Sequence, residues 1–196
     1  MKDQGCFGGE GINAYEYMHT DEVTDETCSI YRARGNTNGV ECAPIVKCIN
    51  CMPHQPCFVP DEYLIYKVDE YGPVKGEAAM MQEIYQRGPI ACGIAVPPGF
   101  LNYTGGIYED KTGAMDIDHE ISVVGWGVEN GVKYWVVRNS WGTYWGESGF
   151  FRVVRGVNNI AIEEDCAWAT PVDTWTNKVT HKTTEAEKND PKNKPY

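Results

Sequence analysis

His119 stands in the segment Asp118-His119-Glu120-Ile121-Ser122-Val123-Val124-Gly125-Trp126-Gly127. About twenty residues later the chain reads Arg138-Asn139-Ser140-Trp141-Gly142-Thr143-Tyr144-Trp145-Gly146-Glu147. Imidazole is the side chain whose ordinary ionisation falls between pH 5 and 8. To act as a general base it needs its second ring nitrogen held in one tautomer, and the side-chain oxygen of an Asn can do this. Two tryptophans and several glycines around Asn139 fit a shielded polar contact beside closely packed backbone. Spacing alone equally suits a core His and a turn Asn in an ordinary β protein.

The eight cysteines are the second group with chemistry: Cys6, Cys28, Cys42, Cys48, Cys51, Cys57, Cys92 and Cys166. That many in 196 residues suggests an oxidising compartment. Eight cysteines admit about 105 pairings, so spacing alone fixes none. The run Cys42-x5-Cys48-x2-Cys51-x5-Cys57 contains a Cys-x2-Cys core that could bind zinc, but its flanking spacings are atypical of zinc sites. Disulfides are the expectation, with no metal and no cofactor. Gln4-Gly5-Cys6-Phe7-Gly8 superficially resembles the caspase Gln-x-Cys-x-Gly pattern, a signature that does not transfer between families.

The elements that must position His119 and Asn139 follow from periodicity. The stretch from Gly76 to Arg87 reads as a helix, with Met80, Met81, Ile84 and Tyr85 at helical spacing and Gly88-Pro89 as its stop. Apolar, β-branched and aromatic segments separated by Gly follow at 90–96, 106–109, 119–126, 133–138 and 149–154, which predicts an antiparallel sheet or barrel. A helix on such a sheet gives an α+β class. Residues 1 to about 60 read mainly as loop, with one short helix from Glu10 to His19. Residues 176–196 hold almost no large apolar side chain and read as a disordered, polar tail. The tail carries a net charge of +2, which leaves −13 of the chain's −11 total on the rest. Such an acidic body repels phosphate backbones, so no nucleic-acid partner is expected. No apolar run approaches the ~18 residues of a membrane span, and no signal peptide opens the chain.

The two motif segments resemble the papain family of cysteine peptidases, in which a His strand is followed by Asn-Ser-Trp-Gly. The resemblance extends to Cys6-Phe7-Gly8-Gly9, Tyr103-Thr104-Gly105-Gly106-Ile107-Tyr108 and Gly149-Phe150-Phe151-Arg152-Val153. Within the family it is strongest to the cathepsin X (cathepsin Z) branch. That likeness is carried by Asp25-Glu26-Thr27-Cys28, the cysteine spacing from Cys42 to Cys57, Gly88-Pro89-Ile90-x-Cys92-Gly93-Ile94, Asn102-Tyr103-Thr104 and Ala161-Ile162-Glu163-Glu164-x-Cys166. The implied fold is the two-lobed papain-like one, here mainly the C-terminal antiparallel β-barrel lobe plus part of the N-terminal lobe. Residues 1–171 would form the C-terminal portion of the peptidase domain and 172–196 the disordered tail.

The resemblance assigns roles residue by residue. His119 becomes the general base and thiolate partner, and Asn139 orients it. Trp141 shields the pair and, with Trp145, shapes the primed side of the substrate cleft. Gly8 and Gly9 present backbone to an extended substrate by strand addition. Asp118 precedes the His where the cathepsin X branch has Asn, a departure that bears on the His environment. The implied disulfides are Cys28–Cys48, Cys51–Cys57 and Cys92–Cys166, leaving Cys6 and Cys42 unpaired. Asn102-Tyr103-Thr104 is a glycosylation sequon at Asn102.

A peptidase of this kind needs a Cys thiolate beside the His. The papain-type nucleophile sits in C-G-[SA]-C-[WY], about 130–150 residues before the His. That motif does not occur in this sequence, nor does the Gln of the oxyanion hole that accompanies it. The expectation is therefore the C-terminal portion of a cathepsin X-like peptidase, by that resemblance a carboxypeptidase, that is inactive as written. The alternative is a non-catalytic papain-like protein that binds peptides or a peptidase inhibitor. Partners would be peptide or protein substrates and peptidase inhibitors, the parent protein a monomer, and its location lysosomal or secreted.

Overall fold

The longest hairpin is built on a two-residue turn. In the computed structural model, which describes residues 8–31, 42–174 and 176–193, strand β5 (His119–Glu129) runs into β6 (Val132–Arg138) through Asn130-Gly131. Both turn residues have positive φ, 50° and 80°. That is the backbone of a type I′ turn, whose twist matches the strands it joins and which favours Asn-Gly. Because the pair is antiparallel, the start of β5 and the end of β6 lie at the same end of the hairpin, which brings His119 near Asn139.

The remaining strands are β2 (Val68–Val74), β3 (Ile90–Ile94), β4 (Ile107–Tyr108), β7 (Phe150–Val154) and β8 (Cys166–Pro171), giving a seven-stranded sheet in the order β2-β8-β3-β5-β6-β7-β4. The pairs β8–β3, β3–β5, β5–β6 and β6–β7 are antiparallel, but β4 runs parallel to β7. The sheet is thus mixed rather than the purely antiparallel one expected. A two-residue strand carries too little pattern for its direction to be read from sequence. Helix α3 (Glu77–Arg87) packs on this sheet through Met80 and Ile84. These two are one turn apart, whereas Tyr85, read as part of the same stripe, is 84% exposed. The core is centred on Trp135, Phe100, Phe151, Val123 and Val137, all essentially without solvent contact. Trp135 donates its indole N–H to Glu163 at 2.9 Å, and the buried Glu163 carboxylate also accepts from the backbone N–H groups of Gly156 (2.6 Å) and Asn158 (3.2 Å).

All of this sheet but the first two residues of β2 and the last of β8 belongs, with α3, to one unit, residues 9–15 with 70–170; residues 16–69 with 171 onward belong to the other. The second unit has its own small core of Ala43, Ile45, Cys48, Val59, Tyr63 and Ile65. It contains helix α2 (Pro44–Lys47), strand β1 (Glu62–Leu64), strand β9 (Thr180–Lys182) paired with β1, and helix α4 (Glu185–Lys188). Helix α1 (Gly11–Thr20) matches the short helix expected near the start, and none of its residues is buried.

The segment read as a disordered tail instead carries β9 and α4. Its anchors are few but specific. Val179 packs on the small core, the Ile65 N–H donates to the Val179 carbonyl, and Thr184 caps α4 in a reciprocal capping box with Glu187. Composition alone misses such a segment, because backbone pairing and two or three polar contacts hold it rather than apolar bulk.

Candidate active site

His119 opens β5 and Asn139 directly follows β6. Which faces they present depends on one extra residue. Between Val123 and Gly125 the register slips, so that Val123 opposes Val137 while Gly125 opposes Val136. This bulge places Val124 without an opposite residue. Continued past the bulge, the register sets Asn139 opposite residue 121, which shares a face with His119. Without the bulge Asn139 would oppose residue 122, on the other face, because side chains alternate along a strand. The bulge therefore puts the imidazole and the carboxamide on one side of the sheet.

The contact itself is short. His119 Nε2 lies 2.8 Å from Asn139 Oδ1. The Ser140 backbone N–H donates to the same Oδ1 at 2.8 Å, which identifies that atom as oxygen rather than amide nitrogen. His119 Nε2 must then be the protonated ring nitrogen, and Nδ1 is left as the basic one. Asn139 is only 8% exposed, and its Nδ2 is buried without a hydrogen-bond partner among the described residues. The Asn139 N–H donates to the Gly149 carbonyl at 3.0 Å, and the Gly149 N–H to the Trp145 carbonyl at 2.8 Å. Gly149 has φ +92°, and a Cβ there would approach the Gly142 carbonyl at 3.3 Å. At Gly146, φ +57°, a Cβ would come within 2.5 Å of the Phe150 carbonyl. Gly146 and Gly149 are thus dictated by how closely the backbone of this loop folds on itself beside Asn139.

An aromatic wall covers the pair. The Trp141 ring stacks on His119 with centroids 4.9 Å apart, and Trp145 meets Trp141 edge-on at 5.0 Å. Both tryptophans rest on the fully buried Phe100, at 5.8 and 5.2 Å. The Trp145 indole donates to the Leu101 carbonyl at 3.1 Å. The loop is tied down from its far end by Glu147, which takes a bidentate contact from Arg152 (2.7 and 2.9 Å) and accepts from the Gly106 N–H. These hydrogen bonds, that of Arg152 foremost, hold the Glu147 carboxyl below its usual range. The structure brings together four of the residues expected from sequence, His119, Asn139, Trp141 and Trp145. Phe100, Glu147 and the bulge were not expected from sequence, because their contacts are with residues distant along the chain.

Asp118 is exposed, and its carboxylate accepts from the Val96 N–H at 3.0 Å, joining the start of β5 to the end of β3. Gly8 and Gly9 are exposed, ahead of α1 and outside any strand. Asn102 is exposed at the end of the short 3-10 turn Phe100–Asn102. The disulfides Cys28–Cys48, Cys51–Cys57 and Cys92–Cys166 are formed, so three of the four cysteines weighed as a zinc set are taken up in disulfides. Cys42 is free and exposed, and Cys6 lies outside the described residues. Three disulfides fit an oxidising compartment. No helix among the described residues is long and apolar enough to cross a membrane.

An imidazole with one nitrogen fixed by a buried Asn and the other without a hydrogen-bond partner among the described residues, under a tryptophan lid, is suited to accept a proton from a nucleophile and return it to a leaving group. Comparison with known proteins points the same way. The sequence pattern of the papain family of cysteine proteases matches residues 1–170. A cathepsin Z of Onchocerca volvulus is 48% identical over 176 residues, covering 85% of this chain and 56% of that protein. A cathepsin B-like cysteine proteinase 6 of Caenorhabditis elegans is 31% identical, covering 85% and 49%. Among solved structures, procathepsin L 3 from the Tenebrio molitor larval midgut superposes with a TM-score of 0.67 at 28% identity, covering 86% of this chain and 50% of that one. Bromelain from Ananas comosus, in complex with the E64 inhibitor, gives 0.66 at 26%, covering 86% and 73%. The chain spans about half the length of the curated relatives it matches.

Proposed function

Because the chain belongs to the papain family of cysteine proteases, we propose that it supplies the His–Asn half of a Cys–His–Asn site that cleaves peptide bonds. The carrying observation is the 2.8 Å contact from His119 Nε2 to Asn139 Oδ1, which leaves Nδ1 to pair with a thiolate. In this reading His119 takes the thiol proton, the thiolate attacks the peptide carbonyl, and the imidazolium protonates the departing amine. Asn139 keeps the ring turned and its tautomer fixed. Trp141 keeps water from their hydrogen bond, and with Trp145 lines the side on which the leaving peptide departs.

The sequence holds no C-G-[SA]-C-[WY] segment, and it spans about half of its relatives. Both features support the reading that the chain is the C-terminal portion of a cathepsin X-like peptidase, a carboxypeptidase by that likeness, and that 196 residues alone do not turn over substrate. Its substrates are peptides, its inhibitors those of papain-like enzymes, and its location the lysosome or the secretory route. The chain as written, offered a fluorogenic dipeptide and an active-site-directed epoxide, is expected to show neither turnover nor labelling. Turnover that disappears on Cys6→Ser or Cys42→Ser would overturn this, since one of those thiols would then be the nucleophile. An in-frame C-G-S-C-W in the transcript upstream of Met1 is the expected companion result, whereas an in-frame stop there would favour the non-catalytic, peptide-binding alternative.

A further inference from the structure

The C-terminal segment is fastened by a histidine with an acid on each nitrogen. His181 lies opposite Tyr63 in the β1–β9 pair, and its ring stacks on the Tyr63 ring with centroids 5.0 Å apart and planes 28° from parallel. Its Nδ1 is 2.9 Å from Glu22 Oε2 and its Nε2 is 3.0 Å from Glu187 Oε1. An ionised carboxylate can only accept hydrogen bonds, and a neutral imidazole carries one N–H and one lone pair. Both contacts are satisfied together only by the imidazolium. With a neutral ring, one of the two carboxylates faces a lone pair.

The other groups around the ring do not replace the missing proton. Tyr63 has its phenol pushed up by burial, then by Glu187 and Glu22, so it stays neutral through this range. Lys188 is engaged with Asp61 at 2.6 Å and Glu185 at 3.0 Å. Lys47 lines, with Glu22 and Tyr63, a cavity of about 240 Å3. Glu187 is held below the usual carboxylate range, first by the Thr184 N–H and hydroxyl, so it remains charged in mild acid. Along the same strand Glu62 accepts from the Thr180 hydroxyl at 2.5 Å.

We propose that His181 is an acid-dependent latch, clamped between Glu22 and Glu187, that holds residues 176–193 on the unit containing residues 22–69 and lets them go as the pH rises to neutral. Both clamp contacts together need the imidazolium, whereas the released ring makes neither. Docking therefore strengthens as pH falls through the range from 8 to 5 in which imidazoles ionise. It weakens again below about pH 4, where glutamates gain protons and the clamp loses its acceptors. Release would free Val179 from the small core and open the capped α4. The inference is independent of the catalytic reading, because every residue it uses lies outside the sheet that carries His119.

Amide hydrogen exchange on the whole chain at pH 5.0 and pH 7.5, corrected for the intrinsic pH dependence of exchange, tests it. Protection of residues 180–188 is expected to fall at least tenfold between the two, while that of β5 and β6 changes by less than about threefold. Glu22→Gln should largely abolish the difference and keep the segment docked at pH 7.5. The glutamine can donate its amide to Nδ1 while a neutral ring donates from Nε2 to Glu187, and the capping box is untouched. His181→Gln should leave residues 180–188 equally and weakly protected at both pH values. Equal protection of the unmodified segment at pH 5.0 and 7.5 would overturn the latch. So would a pH-dependent loss that survives His181→Gln.

Discussion

Removing the Cys92–Cys166 disulfide should be the largest single covalent loss available to the sheet. The bond joins directly opposed residues of β3 and β8, both buried, across a sequence separation of 74. If a disulfide acts by restricting the unfolded chain, its contribution grows with the logarithm of the loop it closes. A separation of 74 corresponds to about 4.5 kcal/mol, against about 3.3 for the separation of 20 at Cys28–Cys48 and about 2.2 for the separation of 6 at Cys51–Cys57. The test is urea unfolding of a Cys92→Ala/Cys166→Ala variant, followed by tryptophan fluorescence. Five of the six tryptophans, at 126, 135, 141, 145 and 168, lie in residues 70–170, and Trp175→Phe in both proteins removes the sixth. The expected result is a loss of about 4 kcal/mol or more, since the vacated sulfur volume beside Met80 adds to the entropic effect. A loss at or below about 2 kcal/mol would refute the reasoning, because the long loop would then contribute no more than the short one.

Two further outcomes follow from the polar contacts. Glu163→Ala strands the buried Trp135 indole N–H and takes an acceptor from the more exposed Gly156 and Asn158 amides, and at about 1–3 kcal/mol per unsatisfied buried donor should destabilise by about 1–3 kcal/mol in the same unfolding assay. Glu147 has its carboxyl held down by Arg152, so its contribution to stability is present above the ordinary Glu range near pH 4.5 and is lost as pH falls through the lowered folded value. Glu147→Gln should therefore flatten the acid limb of a stability-against-pH curve measured from pH 6 down to pH 3, and an unchanged acid limb would remove Glu147 from the account.

What the sequence disclosed of the site was its chemistry. His119 and Asn139 each sit in a segment whose neighbours announce a strand end and a tight glycine loop, and those are local signals. The facing of the two side chains was hidden, because it turns on the bulge at Val124, a residue of unremarkable type whose extra place exists only relative to β6. Phe100 likewise reads as one apolar residue after Pro98-Gly99, and only the packed structure shows Trp141 and Trp145 resting on it. The direction of β4 was lost for the same reason, since two residues carry no pattern and β7 decides it. The tail shows the converse error. Its polar composition argued against order, but His181 and Thr184 exert their hold through partners as specific as any core contact.

The proposed role of His119, turned by Asn139, as base for a cysteine thiolate can be read from a chimera that places the N-terminal part of the Onchocerca volvulus cathepsin Z, 48% identical over the shared region, ahead of this chain, by following alkylation of the introduced nucleophile from pH 4 to pH 10. Rapid alkylation well below pH 8 is expected, from a thiolate paired with imidazolium. His119→Ala should return the profile to that of an ordinary thiol, rising near pH 8.5. An alkylation profile that is the same with and without His119 would contradict it.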